Sequence, residues 1–128
     1  MIVDSSAFVA IAKGENEQIR LIRALSNASV VKVSAPTWFE TSLVLSRMMG
    51  PRLEIFLSGI ERQFALQFVP FGVEHVEVAL DAWSRYGKGK HHARLNFGDC
   101  ISYATAQIAG EPLLFVGNDF AHTDIEAA

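Results

Sequence analysis

Leu113-Leu114-Phe115-Val116 is an uninterrupted apolar run, bounded by Gly110-Glu111-Pro112 before it and Gly117-Asn118-Asp119 after it. A strand that is apolar on both faces needs cover on both faces, which is the condition of a central strand in a parallel sheet. The rest of the chain supplies the neighbours. Ile2-Val3 is a very short apolar run ended by Asp4-Ser5-Ser6. Val30 to Ala35 is rich in β-branched residues, and Leu66-Gln67-Phe68-Val69 alternates before Pro70. Helical periodicities lie between these runs. Strands alternating with helices predict an α/β domain with a mostly parallel sheet and helices on both faces.

The helices are read from spacing and punctuation. Ala7 to Ala12 forms the first, and Lys13-Gly14-Glu15-Asn16 turns the chain. The second turns Ile19, Ile22, Leu25 and Ala28 inward. Pro36 opens a third, carrying Trp38, Phe39, Glu40, Leu43, Val44 and Leu45. After Gly50-Pro51, Arg52 to Phe64 is helical, with Leu53, Phe56, Leu57, Ile60 and Phe64 on one side. That stripe is wide enough to suit a homodimer interface and a buried core helix equally. Val73 to Tyr86 is predicted to turn Val76, Leu80 and Trp83 inward, with His75 at the surface or in a cap. Ile101 to Ala109 makes the last helix, closed by Gly110.

A chain of 128 residues fits one domain, 1–128. Half its residues are hydrophobic, enough for a compact core. The net charge of −3 argues against indiscriminate coating of nucleic acid but leaves room for a local basic cleft. The one cysteine, Cys100, excludes an internal disulfide and a cysteine-rich metal site. No run is long enough to span a membrane, and Met1-Ile2-Val3 leads straight to Asp4 without the basic region of a signal peptide. The cytoplasm is the expected compartment.

The chemistry is in the acids. Ligands of open parallel sheets bind beyond the carboxyl ends of the strands. Asp4 and Asp119 fall at strand ends, Asp99 heads the helix before the last strand, and Glu40 lies on an early crossover helix. Taken singly, Asp4 reads equally as a helix cap, Asp99 reads first as one, and Asn118-Asp119 reads as a turn. Gly98, just before Asp99, permits either an unusual backbone conformation or a close approach. If the four acids converge, their like charges oppose one another, and a hard divalent cation resolves the conflict. Such a site orients a water for in-line attack on a phosphodiester. No GxxxxGK[ST] loop is present, and no histidine stands with a Ser or Cys in a nucleophile motif. The one basic cluster is Gly87-Lys88-Gly89-Lys90-His91-His92-Ala93-Arg94, made flexible by its two glycines. It reads as a solvated loop or as a phosphate-contacting one. Adjacent His91-His92 lack the spacing that would put both on one metal.

In order along the chain, Asp4-Ser5-Ser6-Ala7, Glu40, Tyr86 to His91 leading to Leu95-Asn96-Phe97-Gly98-Asp99-Cys100, and Gly117-Asn118-Asp119-Phe120 with Thr123-Asp124 resemble a PIN-domain ribonuclease. They are most similar to the VapC toxins of bacterial toxin–antitoxin pairs. The resemblance implies a PIN-like three-layer α/β/α fold. It also implies a Mg²⁺-dependent endoribonuclease, with Mn²⁺ as an alternative ion. Such a protein is usually a homodimer, restrained by a cognate VapB-like antitoxin whose tail enters the acidic groove. The family's acids map onto Asp4, Glu40, Asp99 and Asp119, with Asn118 or Asp124 as alternatives for the fourth. Ser6 matches a position that supports the first acid, and Thr123 lies in the matching tail. Lys88, Lys90 and Arg94 are the expected contacts to RNA phosphates. His92 stands where relatives often have proline, and Val116 where many have lysine. Two other readings remain at this point: a metal-dependent nuclease acting on DNA or a phosphatase, and a non-catalytic acidic-pocket binding module.

Overall fold

The computed structural model describes residues 1–128. Its sheet has four strands, β1 (Ile2–Val3), β2 (Lys32–Ser34), β3 (Gln67–Val69) and β4 (Leu113–Leu114). They lie in the order β3-β2-β1-β4, and every pairing is parallel. Six helices join them: α1 (Ser5–Lys13), α2 (Gln18–Asn27), α3 (Ala35–Met49), α4 (Leu53–Gln63), α5 (Val73–Tyr86) and α6 (Phe97–Ala109). Short 3-10 turns cover Gly50–Arg52 and Phe120–His122.

Successive strand residues face opposite sides, so each two-residue strand feeds two cores. Val3 and Leu114 pack with Phe8, Ile11, Leu21, Leu25 and Ile60 on one face. Ile2 and Leu113 pack with Leu95, Cys100, Tyr103, Ala106 and Phe120 on the other. This is the three-layer α/β/α arrangement expected from the alternation of strands and helices. No helix is long and apolar enough to cross a membrane.

Several local expectations are corrected. The last strand stops at Leu114, because β1 turns into α1 after Val3 and leaves Phe115 and Val116 without a ladder partner. Val116 N–H donates instead to Ser6 Oγ at 3.0 Å. Helix α6 begins at Phe97, four residues before Ile101, because Asn96 caps it. Ile19 is 72% exposed, and Leu21 takes the inward place on α2. On α3, Leu43 and Val44 face outward, while Thr37, Thr41 and Leu45 are buried.

The apolar stripes of α4 and α5 differ in burial. On α4, Ile60 is buried and Leu53, Phe56, Leu57 and Phe64 are half-buried, so that stripe serves the core. On α5, His75 and Ala82 are the buried residues, and Val76, Leu80 and Trp83 lie exposed. Both faces of α5 carry apolar residues, so periodicity alone could not choose between them. His75 is a cap, as one reading had it, but a buried one: its Nδ1 accepts from Gly72 N–H at 3.2 Å.

Candidate active site

A β3-β2-β1-β4 order places the switch in chain direction between β1 and β4, and the crevice beyond their carboxyl ends is the expected ligand site. Asp4 leaves β1 there, and Gly117-Asn118-Asp119 follow β4. Asp4 is only 3% exposed. Its Oδ2 accepts from Ser6 N–H at 2.9 Å and Ser6 Oγ at 2.6 Å, and its Oδ1 accepts from Ser102 Oγ at 2.6 Å. Asp4 is therefore both the α1 cap and a member of the crevice. Ser6 is its support, as expected.

Asp99 sits in the first turn of α6, where the unpaired N–H groups favour negative charge. Its Oδ2 accepts from Asn96 N–H at 2.7 Å, and Asn96 Oδ1 accepts from Asp99 N–H at 3.0 Å, a reciprocal cap. Burial pushes the Asp99 carboxyl up to about 6; the Asn96 N–H opposes the rise, and the charges of Asp4, Asp119 and Glu40 add to it. Glu40 is also raised, by burial first, with the Ser5 hydroxyl opposing and the Asp4 charge adding.

Gly98 shows why a glycine precedes Asp99. Its φ is not left-handed, so the reason is space. A Cβ there would stand 2.6 Å from Glu40 Oε1 and 2.7 Å from Oε2. The bare backbone of α6 lets the α3 carboxylate lie across the helix start.

The remaining tail candidates separate. Asp124 Oδ1 accepts from Tyr103 Oη at 2.7 Å, and its Oδ2 accepts from Arg85 at 2.7 Å. Burial raises its carboxyl, but Arg85 and Tyr103 outweigh this and leave it below the usual range. Thr123 Oγ1 donates to Phe120 O and accepts from Ile125 N–H, so it shapes the tail locally. Asn118 and Asp119 are exposed. Of the tail acids, Asp119 is the one whose charge reaches Asp99.

The basic loop carries backbone bonds of its own. Lys88 N–H donates to Leu95 O, Leu95 N–H to Tyr86 O, and Lys90 N–H to Gly87 O. Ala93 and Leu95 are buried beneath it. Lys88, Lys90 and Arg94 are exposed, with Lys90 Nζ 5.6 Å from the Trp83 ring centre. The rings of His91 and His92 stack at 4.1 Å, and His92 meets His122 at 4.5 Å. This stack ties the basic loop to the tail that carries Asp119. Cys100 is buried, and burial first, then the Asp99 charge, pushes its thiol up to about 11, as suits an inert core residue.

The donor set fits a hard divalent cation in its chemistry: oxygen ligands only, with mutual repulsion that a positive charge relieves. No three His, Cys, Asp or Glu side chains are yet gathered tightly enough to hold an ion. Unscreened like charges keep carboxylates apart, so ion binding would have to draw them in. Ser102 and Thr37, which hold Asp4 from behind, carried no motif that could have marked them in the sequence.

The family model for the PIN domain matches residues 1–126. Ribonuclease VapC36 of Mycobacterium tuberculosis is 45% identical over 127 residues, covering 98% of this chain and 91% of that protein. Ribonuclease VapC42 of the same species is 41% identical over 129 residues, covering 100% and 98%. Among solved structures, Mycobacterium tuberculosis VapC20, described as a sarcin-ricin loop cleaving toxin, superposes with a TM-score of 0.79 at 20% identity, over 99% of this chain and 97% of that one. VapBC2 of Rickettsia felis, bound to a promoter DNA fragment, gives 0.71 at 12% identity, over 98% and 94%. With its acids set at the switch point of a parallel sheet and VapC ribonucleases aligned along nearly its whole length, the chain belongs to the PIN-domain family, on the side of the VapC toxins.

Proposed function

We propose that the protein is a Mg²⁺- or Mn²⁺-dependent endoribonuclease, the toxin of a cytoplasmic toxin–antitoxin pair. The observation that carries this reading is the meeting of three acids around α6, beyond β1 and β4: Asp99 in its first turn, the Glu40 carboxylate lying against Gly98, and Asp4 bonded to Ser102 of the same helix. VapC ribonucleases at 41–45% identity supply the reaction class.

Asp4 and Asp99 are the primary ligands in this reading, and Glu40 and Asp119 complete the set. A divalent ion held there supplies Lewis-acid charge beside the scissile phosphodiester. The chain's own contribution is orientation. Ser6 and Ser102 fix the Asp4 carboxylate, and the Asn96 cap fixes Asp99. Lys88, Lys90 and Arg94, on a loop pinned by its own backbone bonds, contact RNA phosphates and hold the strand across the crevice.

The partners belong to the same reading, and a VapBC assembly among the similar structures supports the antitoxin. A VapB-like antitoxin restrains the enzyme, its tail entering the acidic groove. The protein itself is a homodimer. The supporting surface is a groove of about 630 Å³ between α5 and the start of α6, lined by Val76, Leu80, Trp83 and Phe97 among others. This surface is on α5 rather than α4, whose stripe is half-buried.

The test is incubation of antitoxin-free protein with cellular RNA, with and without Mg²⁺. Cleavage is expected with the ion, and its loss with EDTA and in Asp99→Asn. Undiminished cleavage in EDTA overturns the metal-dependent reading. Equal cleavage of single-stranded DNA points to a nuclease of different scope, and no cleavage with intact ion binding to a binding module.

A further inference from the structure

Three hydroxyls that no motif marks, Ser34, Thr37 and Ser102, are buried to 1% or less behind the acidic crevice. They connect in one direction. Ser34 Oγ accepts from Thr37 N–H at 3.2 Å and donates to Thr37 Oγ1 at 2.7 Å. Thr37 Oγ1 lies 3.4 Å from Ser102 Oγ, the longest link. Ser102 Oγ donates to Asp4 Oδ1 at 2.6 Å. A hydroxyl has one proton. Ser102 gives its proton to Asp4, so it accepts from Thr37. Thr37 is free to donate because Ser34 supplies the other bond. All three O–H groups therefore point along the chain toward the carboxylate.

Ser102 also departs from the habit of its neighbours. A Ser or Thr inside a helix commonly donates to the carbonyl one turn back. Thr41, Ser42 and Thr105 do so here. Ser102 instead reaches across to Asp4, at the other end of the sequence. Capping α3 needs only the Ser34–Thr37 pair, so the continuation through Ser102 is surplus to the cap. The relay joins α3, which carries Glu40, to α6, which carries Asp99, and ends on Asp4.

We propose that Ser102, backed by Thr37 and Ser34, is a positioning residue that aims the Asp4 carboxylate at the divalent cation. The proposal rests on the metal-site reading above. Ser6 takes both lone pairs of Oδ2 and Ser102 one of the two on Oδ1, so the lone pair left for a cation is on the oxygen that Ser102 holds. Removing the Ser102 hydroxyl releases one oxygen, and the carboxylate can rotate away from its ligating direction. Hydrogen-bond partners of metal ligands typically set affinity by about 10- to 100-fold.

The experiment is Mn²⁺ binding to the full chain without RNA, followed by the electron paramagnetic resonance of free Mn²⁺, with thermal unfolding in parallel. Ser102→Ala is expected to weaken Mn²⁺ binding about tenfold or more. Thr37→Val should weaken it by a smaller factor, and Thr37→Ser, which keeps the hydroxyl, should bind as the wild type does. Ser102→Ala with Thr37→Val should bind no worse than Ser102→Ala alone, because both act through one chain of bonds. Affinity in folded Ser102→Ala within about twofold of the wild type overturns the relay, given the magnitudes such partners carry. Equal weakening by Thr37→Val and Thr37→Ser does the same, since packing rather than the hydroxyl would then matter. If Ser102→Ala does not fold, the Thr37 pair decides. A wild-type chain that binds no Mn²⁺ overturns the metal-site reading and the relay with it, whereas a wild type that binds and a Ser102→Ala that binds equally overturns the relay alone.

Discussion

The Glu40 carboxylate occupies the space in which a side chain on Gly98 would begin, 2.6 Å from the nearest Cβ position. A methyl group there would meet the far end of a flexible side chain, not backbone. Gly98→Ala is therefore expected to swing Glu40 aside without parting α3 from α6. The backbone at 98 is not left-handed, and Ala gains up to about 1 kcal/mol over Gly in a helix. The expected outcome is an equal or higher melting temperature with RNA cleavage down about tenfold or more. Differential scanning fluorimetry beside a cleavage assay checks it. Wild-type cleavage in the variant would show that Glu40 has no place in the site.

Asp99 ties the stability of the ion-free protein to pH. Burial chiefly, with its acidic neighbours, raises its carboxyl from the ordinary 3.8 to about 6. Between those values the folded chain holds a proton that the unfolded chain has lost. Stability from this group is thus present at low pH and falls as pH rises through the window. Wild type compared with Asp99→Asn should isolate it: the variant lacks this slope and is the more stable of the two at pH 7 without an ion. Mg²⁺ at pH 7 should raise the melting temperature of the wild type and leave the variant's unchanged. Calorimetry at several pH values measures both, and the same slope in the two proteins would contradict the assignment.

The reach of the sequence follows from what kind of signal each feature leaves. The parallel sheet was legible because Leu113-Leu114 is apolar on both faces, and only a doubly covered strand tolerates that. The four acids stood out as candidates because carboxylates at strand ends and helix starts have few other uses in company. The apolar face of α5 was misread, since Val76, Leu80 and Trp83 repeat at the same spacing that a core stripe would show. Whether a stripe meets core or solvent depends on which helix packs beside it. The backbone bonds of the 87–95 loop were hidden for a similar reason: they leave no trace in side-chain identity. Ser102 was invisible because a serine in a helix ordinarily signals nothing.

Asp119 and Asp124 are five residues apart and are expected to fail in different ways. Asp124 is spent on Arg85 and Tyr103, which brace α5 and α6 against the tail. Asp119 makes no side-chain hydrogen bond or ion pair within the chain, but its charge bears on Asp99. Asp124→Ala should lower the melting temperature and leave Mn²⁺ affinity near that of the wild type. Asp119→Asn should leave the melting temperature and weaken Mn²⁺ binding. Titration calorimetry and thermal unfolding on the two variants check the pair; an exchange of phenotypes would make Asp124 the fourth ligand.

Leu80 is 62% exposed, on the stripe of α5 that also carries Val73, Val76 and Trp83. The spacing 73, 76, 80, 83 repeats at three and four residues, as on a helix face that meets another helix. Phe97, 83% exposed beside Asp99, extends the patch to the edge of the acidic crevice. A contiguous apolar surface of this kind marks a protein interface. Leu80→Glu buries no new charge in the monomer, so its fold should hold, whereas two copies meeting through α5 would each bring a carboxylate into the contact. Light scattering is expected to give twice the 14.1 kDa chain mass for the wild type and one chain mass for Leu80→Glu. Ile55→Glu on α4, also exposed but outside this groove, should remain a dimer. Dissociation by Ile55→Glu and not by Leu80→Glu would move the interface to α4, and with it the second copy would leave the edge of the active site.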